Sequence, residues 1–129
     1  MKVLDASALL TYVFGEPGAD VVEQQLSESV MHTVNWAEVL SKLAERGLTP
    51  EDALAQMDEA GITQLLRIDP GTPTDAAEVA RLRPLTRTGG LSLGDRYCLA
   101  LGRRLQIPVV TADQAWIRLA LDLDIRCVR

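Results

Sequence analysis

Hydrophobic positions along the chain fall into short apolar runs separated by longer stretches of helical period, and the alternation of the two carries the fold. Val3-Leu4 reads as a short strand, and from Ser7 to Phe14 the pattern turns helical. Gly15-Glu16-Pro17-Gly18 breaks that helix, and Val22 and Leu26, four apart, mark the apolar face of a second. Val30 to Val34 reads as a strand. Trp36, Leu40, Leu43 and Ala44 then recur at helical spacing up to Gly47, and Pro50 starts a further helix that carries Ala53, Met57 and Ala60 before Gly61 closes it.

Beyond Gly61, the run Ile62 to Ile68 predicts a strand and Asp69-Pro70-Gly71 a turn. Thr74 to Leu82 predicts a helix that Pro84 interrupts, with Thr86 to Gly90 as a loop. Leu93, Tyr97, Leu101 and Leu105 form the next helical stripe; Ile107 to Thr111 follows as a strand, Gln114 to Leu121 as a helix and Ile125 to Val128 as a last strand. No internal repeat or low-complexity tract is present. Strands that alternate with helices imply parallel neighbours joined by helical crossovers, hence a three-layer α/β domain over residues 1–129. Its central sheet is expected to be five-stranded, mostly parallel and flanked by helices. In such open sheets ligands bind beyond the carboxyl ends of the strands, where strand order reverses.

Composition narrows the class. The 129 residues are 47% hydrophobic and 24% charged, an ordinary globular balance. A net charge of −5 excludes a protein that binds nucleic acid through a bulk basic field. Cys98 and Cys127 form no Cys-x-x-Cys pair and make a poor disulfide framework, which points to free, packed thiols and a reducing compartment. The longest apolar stretch, Ala6 to Phe14, is far short of a membrane helix. Asp5 falls where the apolar region of a signal peptide would begin, so a cytoplasmic location with no membrane association is expected.

Four acids stand at or just beyond the expected strand ends: Asp5, Glu38, Asp95 and Asp113. Each has a plain structural explanation. Asn35-Trp36-Ala37-Glu38 and Ser92-Leu93-Gly94-Asp95 match a helix N-cap followed three residues later by an acid, and Asp5 and Asp113 can cap the helices that follow them. Together, however, four carboxylates at one sheet edge would repel one another and raise each other's pKa values, a conflict that a divalent cation resolves. An all-carboxylate set without histidine favours Mg²⁺ or Mn²⁺ over zinc. A cation held there turns a site that excludes phosphate into one that clamps it, and phosphodiester hydrolysis is the chemistry such a site supports.

At these residues the chain resembles the PIN-domain ribonucleases, and within them the VapC-type toxins of bacterial toxin–antitoxin pairs. Val3-Leu4-Asp5-Ala6-Ser7-Ala8-Leu9-Leu10 is similar to the family's first acidic motif, with Glu16-Pro17-Gly18-Ala19-Asp20 similar to a stretch that often follows it. Asn35-Trp36-Ala37-Glu38-Val39, Leu91-Ser92-Leu93-Gly94-Asp95-Arg96 and Thr111-Ala112-Asp113-Gln114-Ala115-Trp116 resemble the second, third and fourth. The resemblance spans essentially the whole chain and implies a PIN-like fold. It implies that Asp5, Asp95 and Asp113 supply metal-ligand oxygens, that Glu38 completes the cluster and orients the attacking water, and that Ser7 and Thr111 steady the site. It further implies Mg²⁺-dependent cleavage of RNA to 5′-phosphate and 3′-hydroxyl ends, a cognate antitoxin that can push a basic side chain into the acidic site, and a homodimer. Operator DNA is expected to be bound only through the antitoxin complex.

Other features carry less. Arg81, Arg83, Arg87, Arg96, Arg103 and Arg104 form the one locally basic region; Arg96, beside Asp95, is the candidate phosphate contact, against a solvated helix face. His32 has no second histidine with which to share a metal, and Trp36 and Trp116 sit at core-like helical spacing. The helices before Gly61 are rich in apolar residues, enough to suit dimer or antitoxin contacts as well as a core. A phosphoacceptor receiver domain needs a lysine late in the chain, and none follows Lys42. A haloacid-dehalogenase-like phosphatase needs Asp-x-Asp after the first strand, where position 7 is Ser. A catalytically silent PIN-like domain that only binds a partner is the remaining alternative.

Overall fold

The computed structural model describes residues 1–129. Its elements run β1 (Lys2–Leu4), α1 (Ala6–Val13), α2 (Ala19–Gln25), β2 (Ser29–His32), α3 (Thr33–Glu45), α4 (Pro50–Glu59), α5 (Ile62–Leu65), β3 (Arg67–Asp69), α6 (Pro73–Thr86), α7 (Leu93–Leu105), β4 (Val109–Thr111) and β5 (Ile125–Cys127). Short 3₁₀ turns occupy Leu26–Glu28 and Gln114–Arg118.

Every strand pairing is parallel, in the order β3-β2-β1-β4-β5. The sheet is therefore wholly rather than mostly parallel. From the central β1 the chain winds outward through β2 and β3, then returns to the other side of β1 as β4. The switch point thus lies between β1 and β4, where Val3 pairs with Val109 and Leu4 with Val110. Successive strand residues bury opposite faces, as a two-sided sheet requires. Leu4, Met31 and Val110 join Ala8, Leu9, Val39 and Met57 under α1 to α5. Val3, Val30 and Val109 join Val79, Leu82, Leu99 and Trp116 under α6 and α7. Cys98 is buried in the second layer, and both cysteines are free.

Several local expectations are corrected. The segment Ile62 to Ile68 is not one strand: a helical turn, closed by Leu66 N–H on the Ile62 carbonyl at 2.9 Å, precedes β3. Asp58 draws it into a turn, because its Oδ1 accepts from Thr63 Oγ1 at 2.7 Å and Gln64 Nε2 at 2.6 Å. Gly61, at φ +81°, allows α4 and α5 to meet at that angle. Pro84 does not interrupt α6, which continues to Thr86; Pro84 and Ala80, whose carbonyl it leaves without a partner, both lie on the exposed face. The helix expected over Gln114 to Leu121 is only the 3₁₀ turn, stopped by extended backbone at Leu119. The strand expected over Val30 to Val34 ends at His32, whose Nδ1 accepts from Val34 N–H and caps α3.

The expected basic region is largely consumed in holding the second layer together. Arg104 bridges Asp69 at 2.6 Å and Asp75 at 2.9 Å, while His32 Nε2 lies 3.0 Å from the buried Asp75. Because Nδ1 accepts a backbone N–H, the ring proton sits on Nε2 and is donated to Asp75. Arg81 and Arg103 both pair with Glu78. The Arg104 hydrogen bonds hold the Asp69 carboxyl below its ordinary value, and Arg103 does the same for Glu78. Burial alone would raise Asp75, but hydrogen bonds from Arg104, Thr72 N–H and His32, with the Arg104 charge, outweigh it.

These lowered carboxyls contribute stability above the unfolded-state value near 4, and it is lost as pH falls through their folded values. Urea-unfolding midpoints should therefore drop on acidification below about pH 4. Arg104→Met should destabilise the protein at pH 7 by roughly 3 kcal/mol, since it strands two carboxylates, and should flatten that acid limb. An unchanged acid limb in the variant would contradict this assignment.

Candidate active site

Asp5 is the first residue past β1, at the switch point, and is 3% exposed. Its Oδ1 accepts from Ala8 N–H at 2.8 Å, so it caps α1 as anticipated. Ser7 Oγ donates to both of its oxygens at 2.8 Å, and Thr111 Oγ1, at the end of β4, donates to Oδ2 at 2.6 Å. The same two hydroxyls accept backbone N–H groups from the next segment: Ser7 from Ala112 at 3.0 Å, Thr111 from Asp113 at 3.0 Å. Ser7 and Thr111 thus tie β1, α1 and the chain beyond β4 to one buried carboxylate.

Asp95 and Asp113 are also caps. Asp95 and Ser92 form a reciprocal capping box at the start of α7, and Asp113 Oδ1 accepts from Ala115 N–H at 2.9 Å. Capping occupies only one oxygen of each. Asp95 Oδ1 and Asp113 Oδ2 accept no hydrogen bond from the protein. Glu38 likewise uses Oε1 alone, accepting from Asn35 Nδ2 at 2.8 Å. Capping therefore does not use up these carboxylates: each keeps one oxygen without a protein donor.

All four acids, with Ser7, Lys42 and Trp116, line a single cleft of about 190 Å³. They reach it from four separate segments: the ends of β1 and β4, the second turn of α3 and the first turn of α7. Burial pushes the Asp5 carboxyl up to about 6 against the pull of its Thr111, Ala8 and Ser7 hydrogen bonds, and the Asp95 charge adds to the rise. Glu38 is raised by burial and by Asp95, opposed by Asn35 and Lys42. Beneath them, burial and the charges of Asp5, Asp95 and Glu38 hold the Cys98 thiol far above its usual range. The cleft carries an excess of negative charge that one exposed lysine does not neutralise.

No three of these side chains close into a ready metal cage. The donor set is instead open, all oxygen, with unused lone pairs facing shared space. It suits a hard cation that retains waters and takes only a few carboxylates, as Mg²⁺ does.

Two residues of this site escaped sequence reasoning. Asn35 is not an N-cap but lies inside the first turn of α3, 1% exposed. Its amide donates to Glu38 and, at 2.9 Å, to the Gly94 carbonyl, so it fastens α3 to α7 and aims Glu38. The Asn-x-x-Glu spacing is visible in the sequence, but its meaning changes because α3 begins three residues earlier, at Thr33. Gly94 matters through what it lacks, since a Cβ there would collide with the Glu38 carboxylate. Arg96, by contrast, does not line the cleft; it turns toward α6 and donates to the Val79 carbonyl at 3.0 Å.

A family model described as the PIN domain matches residues 2–121, and the chain belongs to the PIN-domain family. Among solved structures it is similar to FitAcB from Neisseria gonorrhoeae, with 23% identity, TM-score 0.73 and 99% of this chain and 98% of that one covered. A DNA-bound VapBC from Salmonella typhimurium shows 18% identity, TM-score 0.73 and the same coverage. VapBC-1 from nontypeable Haemophilus influenzae shows 16% identity and TM-score 0.72, over 98% of this chain and 97% of that one. At these identities the likeness is one of fold. No curated protein sequence matches the chain significantly.

Asn35→Ala should cost about 1–3 kcal/mol of stability, because it leaves the Gly94 carbonyl without its buried donor and frees Glu38. Chemical denaturation at pH 7 measures this directly; an unchanged midpoint would show that the α3 to α7 link carries no weight.

Proposed function

We infer that the chain is a divalent-metal-dependent endoribonuclease of the VapC type, the toxin of a toxin–antitoxin pair. The observation that carries this is the convergence of Asp5, Glu38, Asp95 and Asp113 on one cleft, each of the last three keeping an oxygen free. Asp5, Asp95 and Asp113 would hold Mg²⁺, or Mn²⁺, directly or through waters. When bound, the cation supplies charge stabilisation to the phosphate and a water acidic enough to attack it. Glu38, aimed by Asn35 and raised above an ordinary carboxylate, would take the proton of the attacking water through its free oxygen. The water oxygen bonds to phosphorus, the bond to the 3′ oxygen breaks, and that oxygen leaves with a proton from solvent. The products are a 5′-phosphate and a 3′-hydroxyl.

The partner assignments rest on related reasoning. An apolar hollow of about 360 Å³ between α1, α3 and α4, lined by Tyr12, Val13, Leu43, Ala53, Met57 and Ile62, suits an antitoxin segment. Solved VapBC and FitAB structures are among its neighbours, three of them bound to DNA. Operator DNA is accordingly assigned to the complex and not to this acidic chain alone, and the toxin itself to a homodimer in the cytoplasm. No helix is long and apolar enough to cross a membrane.

Purified protein free of antitoxin should cleave cellular RNA with Mg²⁺ and not with EDTA. Asp5→Asn and Asp95→Asn should each lose more than the roughly 10–100-fold typical of outer-shell changes. Cleavage that survives either substitution at full rate would overturn the mechanism, and its complete absence from the wild type would favour the silent partner-binding alternative. Independently of turnover, Mg²⁺ should raise the melting temperature of the wild type in a concentration-dependent way, and Asp95→Asn should abolish that response.

A further inference from the structure

The net charge of −5 leaves open how the chain would hold a polyanion against its own field. Several cations are engaged elsewhere: Arg81, Arg103, Arg104 and Arg126 pair with acids, and Arg96 with a carbonyl. Beside the acidic cleft lies a second, larger hollow of about 790 Å³, and the two share Ser7, Leu10, Lys42 and Asp113. Three cations line it: Lys42 and Arg46 from α3, and Arg129 from beyond β5.

Glu38 and Lys42 of α3 and Arg46, its C-cap, recur every four residues and so follow one face, each step advancing about 6 Å along the axis. The face runs from the acidic cleft outward into cationic groups. Arg46 makes no ion pair; its guanidinium carbon lies 3.8 Å from the centre of the Phe14 ring, a stack that holds the charge in place. Across the groove Arg129 donates to Thr11 Oγ1 and the Pro17 carbonyl, both at 3.4 Å, and pairs with Glu16 at 3.4 Å. Lys42 pairs with Glu45 at 3.5 Å. Both pairs are exposed and weak, so a phosphate displaces their acids at little cost.

We propose that this groove, with Arg46 and Arg129 as its grips and Lys42 at its junction with the cleft, holds the sugar–phosphate backbone of the RNA on one side of the cut. At the start of α7 Arg96 is turned away to Val79, and Lys42, Arg46 and Arg129 are the cations that line the two hollows. The substrate is therefore gripped asymmetrically, leading from the acids along α3. The proposal rests on the ribonuclease reading of the cleft.

Its test is the salt dependence of binding to a fluorescein-labelled, 15-nucleotide single-stranded RNA, read by anisotropy with Ca²⁺ in place of Mg²⁺. Each neutralised phosphate on a single strand contributes about 0.7 to the slope of log K against log salt. The double variant Arg46→Gln, Arg129→Gln should bind at least about tenfold more weakly in 0.1 M salt and lose about 1.4 from the slope. Lys42 is left in place because it also faces Glu38. Arg81→Gln, an exposed change on α6, serves as the control and should match the wild type. If the double variant keeps the wild-type affinity and slope while the wild type still cuts RNA with Mg²⁺, the groove assignment fails alone. Failure of the wild type both to bind and to cut would overturn the ribonuclease reading and the groove together.

Discussion

The hydrogen bond from Thr111 Oγ1 to Asp5 Oδ2 joins residues 106 apart in the chain, and the candidate site is assembled around it. It exists because β4 returns to lie beside β1 in a register that pairs Leu4 with Val110, so the next residue of each strand meets at the switch point. Around that contact Ser7 ties in the first turn of α1, and Ala112 and Asp113 follow β4 into the cleft. A buried carboxylate is costly to hold ionised; here donors from α1 and β4 surround it. The scaffold thereby keeps a negative charge where the sheet opens, although neighbouring acids oppose it.

That arrangement also shows why the acids were legible in the sequence and some of their surroundings were not. Asp5, Asp95 and Asp113 stand where an apolar run ends or a helix begins, places that turn and capping chemistry mark by themselves. Capping leaves one oxygen of Asp95 and of Asp113 without a protein donor, whereas Ser7 and Thr111 take up what capping leaves of Asp5. Asn35 was misplaced because the boundary between β2 and α3 is set by His32, whose ring caps the helix through tertiary packing against Asp75 and Tyr97. No local period reports such packing. Segment 62–68 was misread for a related reason: short apolar runs fit a strand and a buried helical turn equally well, and Asp58 decides the matter.

Charge followed the opposite logic. Arginines clustered in sequence between positions 81 and 104 turned out to be mostly structural, because α6 and α7 pack side by side and bring Glu78, Asp69 and Asp75 to meet them. The cations beside the cleft are dispersed, two on α3 and one beyond β5, and only the fold collects them. Local density along a chain measures sequence proximity, whereas a polyanion responds to proximity in space, and the two diverge when partners come from distant elements.

The same separation governs how an acidic protein could act on RNA. A uniformly basic surface would hold RNA anywhere, with no preference for the catalytic edge of the sheet. In this chain Glu38 and Lys42 share one face of α3, with Arg46 at its C-cap, and the free oxygens of Asp95 and Asp113 face the same cleft as Glu38. On the proposed reading, a strand drawn to these cations would be led to the place where a metal would reverse the sign of the acids, while the net negative charge elsewhere would discourage it from settling. The acidity of the chain and its dispersed cations would then act together, confining a polyanion to a single path.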